Sequence, residues 1–154
     1  MAAMPTFEHT RSINVAAKPA AVHALVADLH AWTKWSPWEG LDAEVKRIYS
    51  GAEKGVGAGY AWVGKKSGEG SMVVTEANAE RIDLDLDFVK PFKAKNKVVF
   101  RFEPEGDATR VSWTMSGTRN VMLAVAGKLF LDTMIKKDFD KGLATLKAVA
   151  ETGS

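Results

Sequence analysis

Leu131-Asp-Thr-Met-Ile135-Lys-Lys-Asp-Phe139-Asp-Lys-Gly-Leu143-Ala-Thr-Leu146-Lys-Ala-Val149-Ala-Glu151 is the stretch that decides the fold. Leu131, Ile135, Phe139, Gly142/Leu143, Leu146 and Val149/Ala150 recur every three to four residues, one apolar stripe of a helix. Lys136, Lys137, Asp138, Asp140, Lys141 and Lys147 fall mostly on the opposite side, so this half is amphipathic. Going upstream, Val121, Met122, Leu123, Val125, Ala126, Leu129, Phe130 and Met134 widen the apolar arc. A helix so broadly apolar has to be enclosed. The spacing predicts helix from Val121 to Glu151, roughly 45 Å at 1.5 Å per residue, which exceeds a small domain's width. A kink at Gly127, or a separate short helix before it, resolves that excess. Gly142 costs about 0.5–1 kcal/mol relative to alanine, and a close approach of the sheet is the expected compensation.

The strands before the helix are marked by period two. Ile82, Leu84, Leu86 and Phe88 alternate with Asp83, Asp85 and Asp87, and Val98, Phe100 and Phe102 alternate with Lys97, Val99 and Arg101. A hairpin pairing 87 with 97 would also set Asp83 against Arg101. Val111, Trp113 and Met115 follow the Pro104–Asp107 turn, and pairing Phe102 with Val111 brings Glu103 across from Arg110. Glu44–Tyr49, Tyr60–Gly64 and Ser71–Glu76 read as further strands between glycine-containing turns. At the start, Phe7–Val15 reads as a strand with Ile13 and Val15 inward, and parity puts His9 and Arg11 on that same face. Lys18-Pro19 opens a helix with Val22, Leu25, Val26 and Leu29 as its buried face, leaving His23 to solvent.

Between them lies Trp32-Thr-Lys-Trp35-Ser-Pro-Trp38, three tryptophans in seven residues. Pro37 ends any helix there, so a short helical turn followed by a bend is expected. The indoles either plug one end of the core or wall a ligand site. Gly59-Tyr-Ala-Trp-Val-Gly64-Lys65-Lys66 superficially matches a phosphate-binding loop. Lys66 stands where Ser or Thr must bind magnesium, and no helix follows, so that motif is rejected.

Composition narrows the function classes. The 154 residues fit one domain spanning 1–154, 26% charged and 46% apolar, as in soluble globular proteins. A net charge of +2 without a basic cluster argues against nucleic acid. Without cysteine there is no disulfide scaffold, thiol nucleophile or cysteine zinc site. His9, His23 and His30 are too scattered to hold a metal, and no cofactor is called for. No apolar run reaches the ~20 residues needed for stable membrane insertion. Met1–Phe7 does not read as a signal peptide, so a cytoplasmic protein is expected. A homodimer is compatible with the sequence, but nothing in it asks for one.

Strand, helix and helical turn, about six strands in hairpins, then a long helix indicate an α+β fold with the helix on the sheet's apolar face. Ile13-Asn-Val-Ala-Ala-Lys-Pro-Ala-Ala-Val22, Trp32–Trp38, Thr109-Arg-Val-Ser-Trp113 and Lys137–Lys147 resemble the START-like superfamily in its polyketide cyclase/dehydrase-like (SRPBCC) branch, over nearly the whole chain. The resemblance implies a helix-grip fold, a curved antiparallel sheet wrapped around a long C-terminal helix over an internal apolar cavity. It also implies small apolar ligands such as lipids or polyketides, and in some members cyclisation or dehydration. It supplies no family-wide catalytic residue.

Three functions are therefore weighed. The first is binding of a small hydrophobic or amphipathic ligand by Trp35, Trp38, Trp62, Phe88, Phe100, Trp113, Met115, Phe130 and Met134, around a void open near Leu123–Met134. The second is a cyclase or dehydratase in the same cavity. It needs an acid or base, for which His9 and Arg11 are the candidates, with Glu39 and Glu76 behind them. The third is an interaction module anchored by the tryptophan cluster.

Overall fold

The computed structural model describes residues 6–90, 93–118 and 132–152. Strand β1 (Thr6–Val15) leads into helix α1 (Pro19–Ala27) and a 3-10 helix (Leu29–Lys34). Six strands follow: β2 (Lys46–Gly51), β3 (Ala58–Gly64), β4 (Gly68–Asn78), β5 (Arg81–Lys90), β6 (Ala94–Glu105) and β7 (Ala108–Thr118). Helix α2 (Asp132–Thr152) closes the described chain. The strands form one antiparallel sheet in the order β1-β7-β6-β5-β4-β3-β2, leaving β1 and β2 as edges. Register shifts at Glu69/Gly70 and Val74/Glu76 add bends to β4. This is the α+β helix-grip arrangement the sequence leads one to expect.

One face of every central strand is apolar, and that face is the core. Ile82, Leu84 and Leu86, Val98, Phe100 and Phe102, and Val111, Trp113 and Met115 are all buried. Against them α2 buries Phe139, Gly142, Leu143 and Leu146, the narrow stripe read from its spacing. Three polar contacts run α2 alongside β1. Asp132 reaches His9 at 2.8 Å, Asp140 takes both Nε and Nη2 of Arg11 at 2.8 Å, and Glu151 accepts the Ala16 N–H at 2.7 Å. The wider apolar half expected over Val121–Leu131, with its kink at Gly127, lies outside the described residues.

Gly142 marks the tightest approach. A Cβ there would stand 2.8 Å from Pro37 Cδ and 3.0 Å from Trp113 Cζ3. The compensation for its helix penalty is thus two neighbours, one on the sheet and one on the loop after the tryptophan turn.

Two expectations are corrected. The β5–β6 hairpin pairs Asp87 with Lys95 and Asp85 with Lys97, two residues away from the expected register. A slip of two keeps every side chain on its own face, so the apolar pattern cannot tell these registers apart; the turn decides. Asp83 consequently never meets Arg101. Arg81 grips Asp83 within its own strand at 2.6 and 2.9 Å, and Arg101 lies opposite Arg81. In the β6–β7 hairpin, Phe102 does pair with Val111 and Glu103 with Arg110. His23 is also not left to solvent. Its ring lies 5.3 Å from that of Phe102, and its Nε2 is 2.8 Å from the Asn78 carbonyl.

Candidate ligand site

The loop after α1 sorts the tryptophans. Asp28 accepts the His30 N–H at 3.0 Å and starts the 3-10 helix, which turns two indoles back beneath α1. Trp32 Nε1 donates to the Val26 carbonyl at 2.9 Å, and Trp35 Nε1 to that of Leu25 at 2.8 Å. Both rings are buried and meet Phe100 and Trp113 edge to face at 5.7 to 6.3 Å. Phe139 stacks on Trp113 at 4.0 Å and 7°. These rings form a solid block in which each is a neighbour's wall. Of the expected ligand residues, Trp35, Phe100 and Trp113 sit here, and Trp113 Nε1 is buried with no hydrogen-bond partner among the described residues.

Trp38 behaves differently. Pro37 is buried in the notch of Gly142, but Trp38 stays 42% exposed, its Nε1 donating to Asp138 Oδ2 at 3.1 Å. Residues 36–39 thus strap the 3-10 helix to α2. Met134, one helical turn before Asp138, is equally exposed. The next residue of the strap, Glu39, forms an ion pair with Arg47 of β2.

A second group of rings occupies the concave face toward the β2 edge. His30 stacks on Tyr49 at 3.8 Å, Tyr49 meets Tyr60 at 5.2 Å, Tyr60 lies nearly parallel to Trp62 at 5.9 Å, and Trp62 meets Phe88 at 5.9 Å. Tyr49, Tyr60, Trp62 and Phe88 are each only partly buried. Strand pairing builds this row, because Tyr49 opposes Tyr60 and Arg47 opposes Trp62. Gly70 permits it, since a Cβ there would stand 2.5 Å from Trp62 Cη2. Burial pushes the phenols of Tyr49 and Tyr60 above their ordinary range. For Arg47 burial works the other way, but hydrogen bonding to Tyr60 and the charge of Glu39 outweigh it and raise its pKa.

The acid–base candidates separate as well. His9 follows the expected inward parity beside Met115, and its side chain is only 10% exposed, with Nε2 on Asp132. Arg11 shares that parity, but β1 is an edge strand, so the long side chain passes to the outer flank of α2 and ends on Asp140, 41% exposed. Glu76 is exposed opposite Asp83, and Glu39 is held at the strap. Phe130 lies outside the described residues. A recess of about 690 Å3 opens at the tips of β1, β7, β6 and β5 beside Phe7 and Asn96, and a groove of about 360 Å3 runs past Arg81 and Arg101; no expected ligand residue lines either. Sequence reasoning missed Arg47, Tyr49 and Tyr60, whose signal was the shared period two of Arg47-Ile-Tyr49 and Tyr60-Ala-Trp62, and it missed Asp132.

A family model described as polyketide cyclase / dehydrase and lipid transport matches residues 4–151. The chain belongs to this family. Solved structures repeat its fold at low identity. TTHA0849 from Thermus thermophilus is 17% identical over 96% of this chain and 99% of its own, with a TM-score of 0.67. The Aha1 dimer from Colwellia psychrerythraea is 16% identical over 96% and 98%, at 0.68. DynU16, described as a putative protein in the dynemicin biosynthetic locus, is 16% identical over 96% of this chain and 48% of its own, at 0.66. No curated protein sequence matches the chain. Among the described residues no helix is long and apolar enough to cross a membrane.

Proposed function

We propose that this family member binds a small hydrophobic or amphipathic ligand between the sheet and the C-terminal helix. The observation that carries this reading is the row of partly buried rings, Tyr49, Tyr60, Trp62 and Phe88, on the face that elsewhere is closed by α2. Aromatic surface left half-covered on a concave face, with few polar groups beside it, is the composition of a ligand wall. The test is a fluorescence titration with N-phenyl-1-naphthylamine, a neutral dye that brightens out of water. The wild-type protein should bind it, and Trp62→Ala should weaken binding about tenfold, roughly the 1.4 kcal/mol of a lost aromatic contact. A folded protein that leaves the dye dark removes the reading.

One observation favours a second reading, in which the ligand is also transformed in the manner of a cyclase or dehydratase. His9 is largely buried and its ring is oriented by Asp132, a pairing that fixes the tautomer of a general base. For an enolisable ligand, His9→Gln and Asp132→Asn should then each lower turnover far more than affinity. Equal loss of both quantities argues for binding alone.

A further inference from the structure

We infer that Arg47 is an anion anchor, and that the ligand is a planar aromatic or polyene molecule carrying an oxyanion such as a carboxylate, sulfonate or ionised enol. This rests on the binding reading above and specifies its ligand. The rings supply the shape: Tyr60 and Trp62 lie nearly parallel, their planes 24° and their centroids 5.9 Å apart, and both keep part of their flat surface open. Arg47 supplies the charge, since it opposes Trp62 on the same side of the sheet as Tyr49 and Tyr60. Its present acid partner, Glu39, belongs to the strap.

The Arg47–Glu39 pair is suited to exchange. Arg47 and Glu39 side chains are 31% and 29% exposed, so neither ion is locked in the core. Ion pairs this wet are weakly held against competing carboxylates. The guanidinium presents five N–H donors in a planar fork, which serves Glu39 through Nη2 and also hydrogen-bonds Tyr60. An incoming oxyanion can share the fork or displace Glu39, and Arg favours such planar recognition. The flat part of the same molecule then packs against the open surface of the Tyr49, Tyr60, Trp62 and Phe88 row. Releasing Glu39 loosens one end of the strap while Pro37 and Trp38 hold the other.

The matched probes are N-phenyl-1-naphthylamine and 8-anilino-1-naphthalenesulfonate, the same ring skeleton without and with a sulfonate. The readout is the ratio of their affinities, measured at one fixed salt concentration. Arg47→Gln should lower the anion's relative affinity about tenfold, as expected for a lost charge-assisted hydrogen bond. Arg47→Lys should restore part of it. Glu39→Gln should move the ratio the opposite way, because it removes the competing carboxylate, an outcome that simple damage to the fold does not produce. Lys18→Gln, which removes an equal charge ahead of α1, should leave the ratio alone. If both dyes bind but the ratio ignores Arg47→Gln and Glu39→Gln, the anchor is overturned and the binding reading survives. If neither dye binds the wild-type protein, both fall together.

Discussion

Two aromatic groups face the same interior and do opposite things. Around Trp113 the rings of Trp32, Trp35, Phe100 and Phe139 are all buried, in stacked and edge-to-face contact. Around Trp62 the rings of Tyr49, Tyr60 and Phe88 touch in a single row and keep part of their surface open. The difference lies in what covers them rather than in residue type. α2 lies over the first group, delivering Phe139 and the Gly142 notch, whereas the second approaches the β2 edge. Among the described residues, aromatic side chains at strand spacing are therefore core where α2 lands and candidate ligand wall away from it.

Truncating a buried and an exposed side chain of α2 should show this division most visibly. Phe139→Ala should cost about 3–5 kcal/mol in chemical denaturation, because the cavity forms in the closed block. Met134→Ala, on an exposed side chain of the same helix, should stay within about 0.5 kcal/mol. Similar losses would mean that α2 does not divide the interior as described.

A smaller effect is expected at the notch where the strap meets the helix. Gly142→Ala gains up to about 1 kcal/mol of helix propensity. It also drives a methyl into Pro37 and Trp113, and overpacking of this kind costs about 1–3 kcal/mol. The net result should be a less stable protein, with a Tm below wild type. Pro37→Ala removes one of the two obstructing neighbours, so in the Pro37→Ala background the alanine at 142 should cost measurably less. An unchanged penalty in that double-mutant cycle would assign the clash to Trp113 alone.

These contrasts explain what could be read from the sequence. The inward faces of β5, β6 and β7 were legible because period two survives any even slip, and the α2 stripe because its repeat is regular. The β5–β6 register was not, since Asp87 can meet Lys95 or Lys97 without moving a side chain across the sheet. The tryptophan segment advertised itself by composition. Which indoles would be buried depended on the Leu25 and Val26 carbonyls, whose availability follows from where α1 ends. The Tyr49–Tyr60 row needed the β2–β3 pairing before two separate tyrosines became neighbours. His9 and Arg11 shared a parity that was legible, but the edge position of β1 sent them to different places. The expected lining from Leu123 to Phe130 lies outside the described residues.

The mildest effect concerns the far end of the loop that carries the strap. Asp42 is buried and ties that loop to the β3–β4 turn: Oδ2 accepts the N–H groups of Lys66 and Ser67 and the Ser67 hydroxyl, at 3.0 to 3.1 Å, while Oδ1 accepts the Glu44 N–H at 3.1 Å. Gly64 makes room, since a Cβ there would stand 2.3 Å from Oδ2. The Ser67 N–H draws the Asp42 pKa down, burial opposes it, and the remaining donors carry the balance below the ordinary carboxylate value. The folded protein thus binds this proton less readily than the unfolded chain. Its contribution to stability is fully present above the unfolded pKa, about 3.9, and is lost as pH falls through the lower folded value. Glu151, drawn down chiefly by Lys147, titrates with the same sign, so a wild-type acid melt alone does not isolate Asp42. Comparison with Asp42→Asn does. The variant should melt lower at neutral pH, and its deficit should narrow as both proteins are taken from pH 5 toward pH 2. A deficit that stays constant across that range would show that Asp42 holds the turn by shape alone, without its charge.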